Sequence, residues 1–111
     1  MVKSKIETYL GFSVRSGKII FGTTEIERKK KGIFLLLADG GIGKNSLKIM
    51  VNAAEKLHCP LYLTNEAGAL GEYLHKPAVK AVALTDKNLV SAILSDAECE
   101  QNFKLHPGGT N

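Results

Sequence analysis

No stretch of this chain is apolar for long. The longest uninterrupted run, Ile33 to Ala38, falls far short of the about 20 residues that a membrane-spanning helix needs. The opening Met1-Val2-Lys3-Ser4-Lys5 leads into a polar amphipathic stretch and lacks the apolar core of a signal peptide, so a cytoplasmic protein is expected, neither secreted nor embedded in a membrane. Cysteine is scarce. Cys59 and Cys99 have no further Cys or His at zinc-finger or ribbon spacing, which predicts two reduced thiols and no metal site. The three histidines, His58, His75 and His106, are scattered and fall at a helix end, a turn and the tail. No Ser or Cys nucleophile has a His partner in its sequence context, and no pair of carboxylates stands out. The expectation is a protein without catalysis, cofactor or metal.

What is present is an ordinary globular composition, 44% hydrophobic and 23% charged over 111 residues. That is one domain, expected over residues 1–105 with a flexible tail at 106–111, and its mass lets it bury roughly two-thirds of its unfolded surface. The net charge is +4, and it is unevenly spread. Residues 1–48 hold ten basic and four acidic side chains, a net +6, whereas residues 49–111 hold five and seven, a net −2. Such polarity suits a polyanionic partner, because phosphate contacts supply most sequence-independent affinity. A solvated basic face would look the same.

The hydrophobic period alternates between helix and strand. Ser4 and Glu7 stand at capping-box spacing ahead of Ile6, Tyr9, Leu10 and Val14, and Gly17 supplies the stop. Lys18 to Phe21 reads as a short strand. Thr24 and Glu27 repeat the capping-box spacing, which predicts a second helix from Thr23 or Thr24 through Lys31. Ile33 to Ala38 is apolar on both faces, as a central strand should be. A third helix is expected from Asn45 or Ser46, with Leu47, Met50, Val51, Ala54 and Leu57 on one face and Pro60 as its limit. Leu61 to Leu63 is a strand, Thr64 to Gly68 a loop, and Ala67, Leu70 and Leu74 mark a short helix. Val79 to Leu84 is the last predicted strand, and Asp86 caps a helix carrying Leu89, Val90, Ile93, Leu94 and Ala97. Strands alternating with helices imply a three-layer α/β/α sandwich around a small mixed four-stranded sheet. The order of the strands is not legible from one sequence.

Gly40-Gly41-Ile42-Gly43-Lys44 follows a strand and precedes a helix, inviting a phosphate-loop reading. The spacing defeats it: Ala38 stands where a Walker loop needs its first glycine, and Asn45 where it needs the hydroxyl that holds Mg²⁺. A dinucleotide fingerprint fails too, because Ser46 occupies the position of its third glycine. Gly22-Thr23-Thr24-Glu25 opens a helix that carries Arg28-Lys29-Lys30-Lys31. A helix start aims backbone N–H groups outward, and the Glu25 carboxylate can accept hydrogen bonds from the amino groups of guanine or cytosine.

These pieces, taken in order, resemble a known family. Leu10-Gly11-Phe12-Ser13-Val14-Arg15-Ser16-Gly17-Lys18 is similar to an opening Leu-Gly-x-x-x-(Arg/Lys)-x-Gly-Lys, and Gly22-Thr23-Thr24-Glu25 to Gly-x-Asn-Glu. Ile33 to Asp39 matches an apolar strand ending in Ala-(Glu/Asp)-Asp, and Cys59-Pro60-Leu61-Tyr62 a strand start with proline. Leu70-Gly71, Lys76-Pro77 and Val79 to Asp86 complete the pattern. The chain from Leu10 to Leu94 thus resembles the kink-turn-binding ribosomal-protein family of archaeal large-subunit protein seven-Ae and eukaryotic protein thirty-e, in its short bacterial YlxQ-type form.

The resemblance implies a ribosomal protein thirty-e-like sandwich that binds a kink-turn, a bent RNA internal loop with sheared G·A pairs, within a ribonucleoprotein such as the ribosome. A monomer is expected. Carried over by position, Gly22 and Thr23 let the backbone approach RNA, Thr24 and Glu25 face the base edges, and Arg28 stands for a lysine of the family; the basic residues Lys18, Arg28, Lys29, Lys31 and Lys44 are expected to hold phosphates. The loop Thr64-Asn65-Glu66-Ala67 covers a splayed base. Two departures stand out. Thr24 replaces an Asn and so loses a bidentate amide, and the segment from Gly22 to Asp39 is several residues shorter than usual. A protein-interaction module of the same fold, without specific RNA binding, is the alternative expectation.

Overall fold

The computed structural model describes residues 5–29, 31–96 and 101–106. Its elements run α1 (Lys5–Ser16), β1 (Ile19–Phe21), α2 (Thr23–Arg28), β2 (Leu35–Ala38), α3 (Lys44–Leu57), β3 (Leu61–Thr64), α4 (Ala69–Leu74), β4 (Ala81–Leu84), α5 (Lys87–Ser95) and β5 (Phe103–Leu105). The strands form one mixed sheet in the order β1-β4-β2-β3-β5. Only β2 and β3 are parallel; the other three pairings are antiparallel.

Strand alternation sorts the core into two halves. Leu35 and Leu37 of β2, with Val82 and Leu84 of β4, face Ile6 and Leu10 of α1, Leu70 and Leu74 of α4, and Leu89, Val90 and Ile93 of α5. The intervening Leu36, Ala38, Ala81 and Ala83 point the other way, against Ile26 of α2 and Met50, Ala53 and Ala54 of α3. Both central strands are buried along their whole length, which is why β2 shows no polar face in the sequence. The alanines on the second face leave room for α2 and α3 to lie close to the sheet.

Several expectations need correction. The sheet has five strands, not four. Phe103–Leu105 pairs antiparallel with β3, and the His106 N–H donates to the Leu61 carbonyl at 2.9 Å, so the tie to the sheet extends through His106. The second helix stops at Arg28, short of Lys31, and its N-cap is Gly22 with no side-chain capping bond. The Thr24–Glu27 capping box does not form because the N-cap falls two residues earlier, at Gly22. Helix α3 ends at Leu57 through His58 in the left-handed conformation (φ 54°), ahead of Pro60. Asp86 does cap α5, accepting from the N–H groups of Asn88 and Leu89, while Leu94 lies 41% exposed and outside the core face. Ser4, Lys30, Ala97, Cys99 and the tail beyond His106 lie outside the described residues.

Candidate nucleic-acid interface

Strand register brings four segments to one end of the sheet. Phe21 pairs with Val82, Ala38 with Ala81, and Ala38 with Leu63, so β1, β2 and β3 finish where β4 begins. Hydrogen bonds continue the row beyond the strands. The Gly22 N–H donates to the Ala81 carbonyl (3.0 Å) and the Asp39 N–H to the Lys80 carbonyl (2.8 Å). The Gly40 N–H donates to the Thr64 hydroxyl at 2.8 Å. The result is a continuous rim made of residues 22–25, 76–80, 39–44 and 64–68. With neighbouring strands about 4.8 Å apart, Gly22 and Thr64 stand roughly 14 Å from each other along it.

Asp39 organises the middle of this rim. It is fully buried. Its carboxylate accepts from the N–H groups of Gly41 (2.8 Å), Gly68 (2.8 Å) and Leu70 (3.0 Å), and the Lys80 ammonium lies 3.7 Å away. Burial alone would push its carboxyl pKa up. The three backbone N–H bonds and the Lys80 charge outweigh that and hold it below the ordinary carboxylate value. One side chain therefore ties the segment after β2 to the segment after β3 and to the start of β4. The same bonding takes up the first amides of the glycine loop: Gly40, Gly41 and Ile42 all donate their N–H groups within the chain.

At the β1 end of the rim, Gly22 adopts φ 88° and ψ 147°, a conformation that side chains resist. A Cβ at this position would meet nothing within 4 Å, so open solvent stands in front of the backbone. Thr24 and Glu25 are exposed beside it, and Thr23 is half-buried. Helix α2 has only six residues, too few for a strong macrodipole, so the corner offers shape and hydrogen bonding in place of the helix-end charge expected from the sequence. Glu25 pairs with Arg28 at 3.2 Å, both side chains more than half exposed. Exposed pairs of this kind contribute little, and either group can turn to a ligand at small cost.

The other residues singled out by sequence divide between this rim and other places. Lys44, the first residue of α3, is exposed on the rim, as are Glu66 and Ala67. Thr64 is buried, and its hydroxyl is occupied by Gly40, Asp39 and the Glu66 carbonyl, so it shapes the loop from within. Asn65 turns toward the approach to β5, donating from Nδ2 to the Gln101 carbonyl at 2.7 Å. Lys18 precedes β1 and Lys31 precedes β2, so both lie at the opposite end of the sheet. Lys29 lines a cleft between α2 and α3 with Asn52 and Lys56. Sequence reasoning missed Lys76 and Lys80. They flank the exposed Pro77 and Ala78; Lys80 stands beside Gly22 through the Gly22–Ala81 bond, and the Lys76 ammonium lies over the Phe21 ring, 5.6 Å from its centroid. The signal was the Lys-Pro turn ahead of β4, which reads as punctuation until the strand order places it beside β1.

Cys59, buried under α3, has its thiol pushed up by burial to about 11, which leaves it protonated and inert. Among the described residues, no three His, Cys, Asp or Glu side chains come together as a metal site, and no helix is long and apolar enough to cross a membrane.

No protein-family model matches the chain, and no curated protein does. Solved structures do. One of them, a protein of unknown function from Bacillus halodurans, superposes with a TM-score of 0.72 at 13% identity, covering 84% of this chain and 96% of that one. At that identity the match establishes the shared fold and carries no function.

Proposed function

We propose that the chain is a non-catalytic, cytoplasmic, monomeric RNA-binding protein with a ribosomal protein thirty-e-like α/β/α fold, recognising a kink-turn through the rim. The observation that carries this reading is the exposed Gly22 corner joined to the Lys76–Lys80 segment by the Gly22–Ala81 hydrogen bond. In this reading the backbone at Gly22 and Thr23 lies against the bent RNA. Glu25 accepts from a guanine amino group, and Thr24 offers its single hydroxyl. Arg28, Lys44, Lys76 and Lys80 hold phosphates, while Pro77, Ala78 and Ala67 cover an unstacked base.

The test is an electrophoretic mobility shift of the full chain on a kink-turn RNA beside a control whose G·A pairs are disrupted. Discrimination of about tenfold or more is expected, since each good base contact contributes about 1–3 kcal/mol. Glu25→Ala should lower kink-turn affinity and leave non-specific duplex binding nearly unchanged; equal loss on both would remove base readout from the proposal. Neutralising about four phosphates should make log K fall with log salt at a slope near −3 to −4, and a flat salt titration would contradict it.

A second reading has its own support. Glu25 and Glu66 lie on the rim among Arg28, Lys44, Lys76 and Lys80, and Lys80 already faces Asp39, so much of the rim's charge is balanced. A protein-interaction module of the same fold would suit such a surface. It predicts discrimination below about threefold between the two RNAs, a difference of under about 1 kcal/mol.

A further inference from the structure

At the end of the sheet opposite the rim, positive charge gathers around an exposed aromatic ring. The Phe34 N–H donates to the Leu84 carbonyl (2.9 Å), and the Thr85 N–H donates to the Lys18 carbonyl (3.1 Å). Phe34 and Lys18 therefore flank the exit of β4, about 10 Å apart across two strand spacings. On its other side, Phe34 lines a cleft of about 360 Å³ with Lys31, Lys56 and His58. Phe34 is 37% exposed.

Among the described residues, no carboxylate comes within ion-pair distance of Lys18, Lys31 or Lys56. The Asp86 carboxylate at this end accepts from the first amides of α5, and Glu27 lines the neighbouring cleft between α2 and α3, which Lys56 also borders. Helix α3 ends in the same cleft, where its last carbonyls are acceptors suited to the exocyclic amines of a base.

We propose that this end is a second nucleic-acid surface that takes single-stranded RNA, with one base stacked on Phe34 and the flanking phosphates held by Lys18, Lys31 and Lys56. Lysines alone would serve any polyanion. The accessible ring between them favours an unpaired base, whose π face is hidden in a duplex and absent from an acidic peptide. The surface is separated from the rim by the length of the sheet, so it does not depend on how the rim is used. A chain with both contacts could hold a folded RNA element at one end and an unpaired strand at the other.

Fluorescence anisotropy of a labelled ten-nucleotide oligoadenylate, titrated with the full chain at low salt, tests this. Phe34→Ala is expected to weaken binding about tenfold with the salt slope unchanged, because stacking is lost and no charge is removed. Phe34→Leu, which keeps the apolar bulk, should weaken it similarly and controls for misfolding. Replacing Lys31 and Lys56 together with alanine should lower affinity and reduce the slope by about 1.4, at about 0.7 per phosphate on a single strand. A kink-turn RNA titrated in parallel should keep its affinity within about twofold in all three variants, a change below about 0.5 kcal/mol. The proposal is overturned if both Phe34 variants bind oligoadenylate like the parent. It is also overturned if Lys44→Ala with Lys76→Ala removes this binding instead, or if polyglutamate competes as well as the oligonucleotide.

Discussion

Replacing Asp39 with alanine is expected to destabilise the protein by about 2–4 kcal/mol, read as a lower denaturation midpoint in urea with an unchanged slope. The N–H groups of Gly41, Gly68 and Leu70 all lose their acceptor in that variant, and the Leu70 N–H is buried away from water. Lys80 contributes less to the loss, because its side chain is 47% exposed and can be hydrated once its partner has gone. Asp39→Asn keeps the shape and one acceptor oxygen but turns an NH2 donor toward backbone N–H groups, so its cost should fall only modestly below that of alanine. The pH dependence follows from the lowered carboxyl pKa of Asp39 in the folded state. The unfolded chain binds the proton more readily, so the stabilisation is fully present above the ordinary carboxylate value of 3.8 and drains away as pH falls below it toward the lower folded-state value. The gap between the parent and Asp39→Asn should therefore close on acidification. A loss under about 1 kcal/mol for Asp39→Ala at neutral pH would show that the loops hold together without it.

Gly71→Ala should also destabilise, against the usual preference for alanine within a helix. In α4, alanine would ordinarily gain up to about 1 kcal/mol over glycine. Here a Cβ would lie 2.9 Å from the Lys76 carbonyl oxygen, 3.0 Å from the Pro77 carbonyl oxygen and 3.1 Å from the Pro77 Cα. All are backbone atoms of the turn that leads into β4, and the Lys76 N–H already donates to the Gly71 carbonyl at 2.9 Å. Overpacking of this kind costs about 1–3 kcal/mol and wins over propensity. Gly40→Ala meets a harder obstacle, the Thr64 carbonyl at 2.6 Å. Gly43→Ala is the control, since Gly43 has φ −72° and its new methyl group would find nothing within 4 Å; it should change the thermal midpoint by no more than about 1–2 °C. Because residues 76–80 form part of the rim, Gly71→Ala should also weaken the RNA binding proposed for it, and an unchanged melting temperature would show that the turn moves freely.

Much of the element order is legible in the sequence because its signals are local. Ile33 to Ala38 declares a central strand through its apolar run, and Asp86 a helix cap through its place between a strand and a periodic segment. What stays hidden depends on contacts distant in sequence. Strand β5 has three residues and only one buried side chain, Phe103, so it shows almost no period; it exists because β3 offers an open edge. The Thr24–Glu27 spacing is there, but a glycine at position 22 lets the helix start before it. Asp39 reads as the first polar residue after a strand. Its three amide partners come from segments two and about thirty positions away, which no local pattern encodes. The basic residues look like one cluster because they are close in sequence. The short α2 and the turn that follows carry Lys31 to the far end of the sheet, while Lys76 and Lys80 arrive at the rim from the other half of the chain.

The place of β5 also bears on the order in which the protein can be completed during synthesis. Every other strand has its neighbour by residue 84, whereas the outer border of β3 stays bare until residues 103–105 arrive. A nascent chain would thus carry an unfinished sheet with an adhesive margin from the emergence of β3 until residues 103–105 seal it.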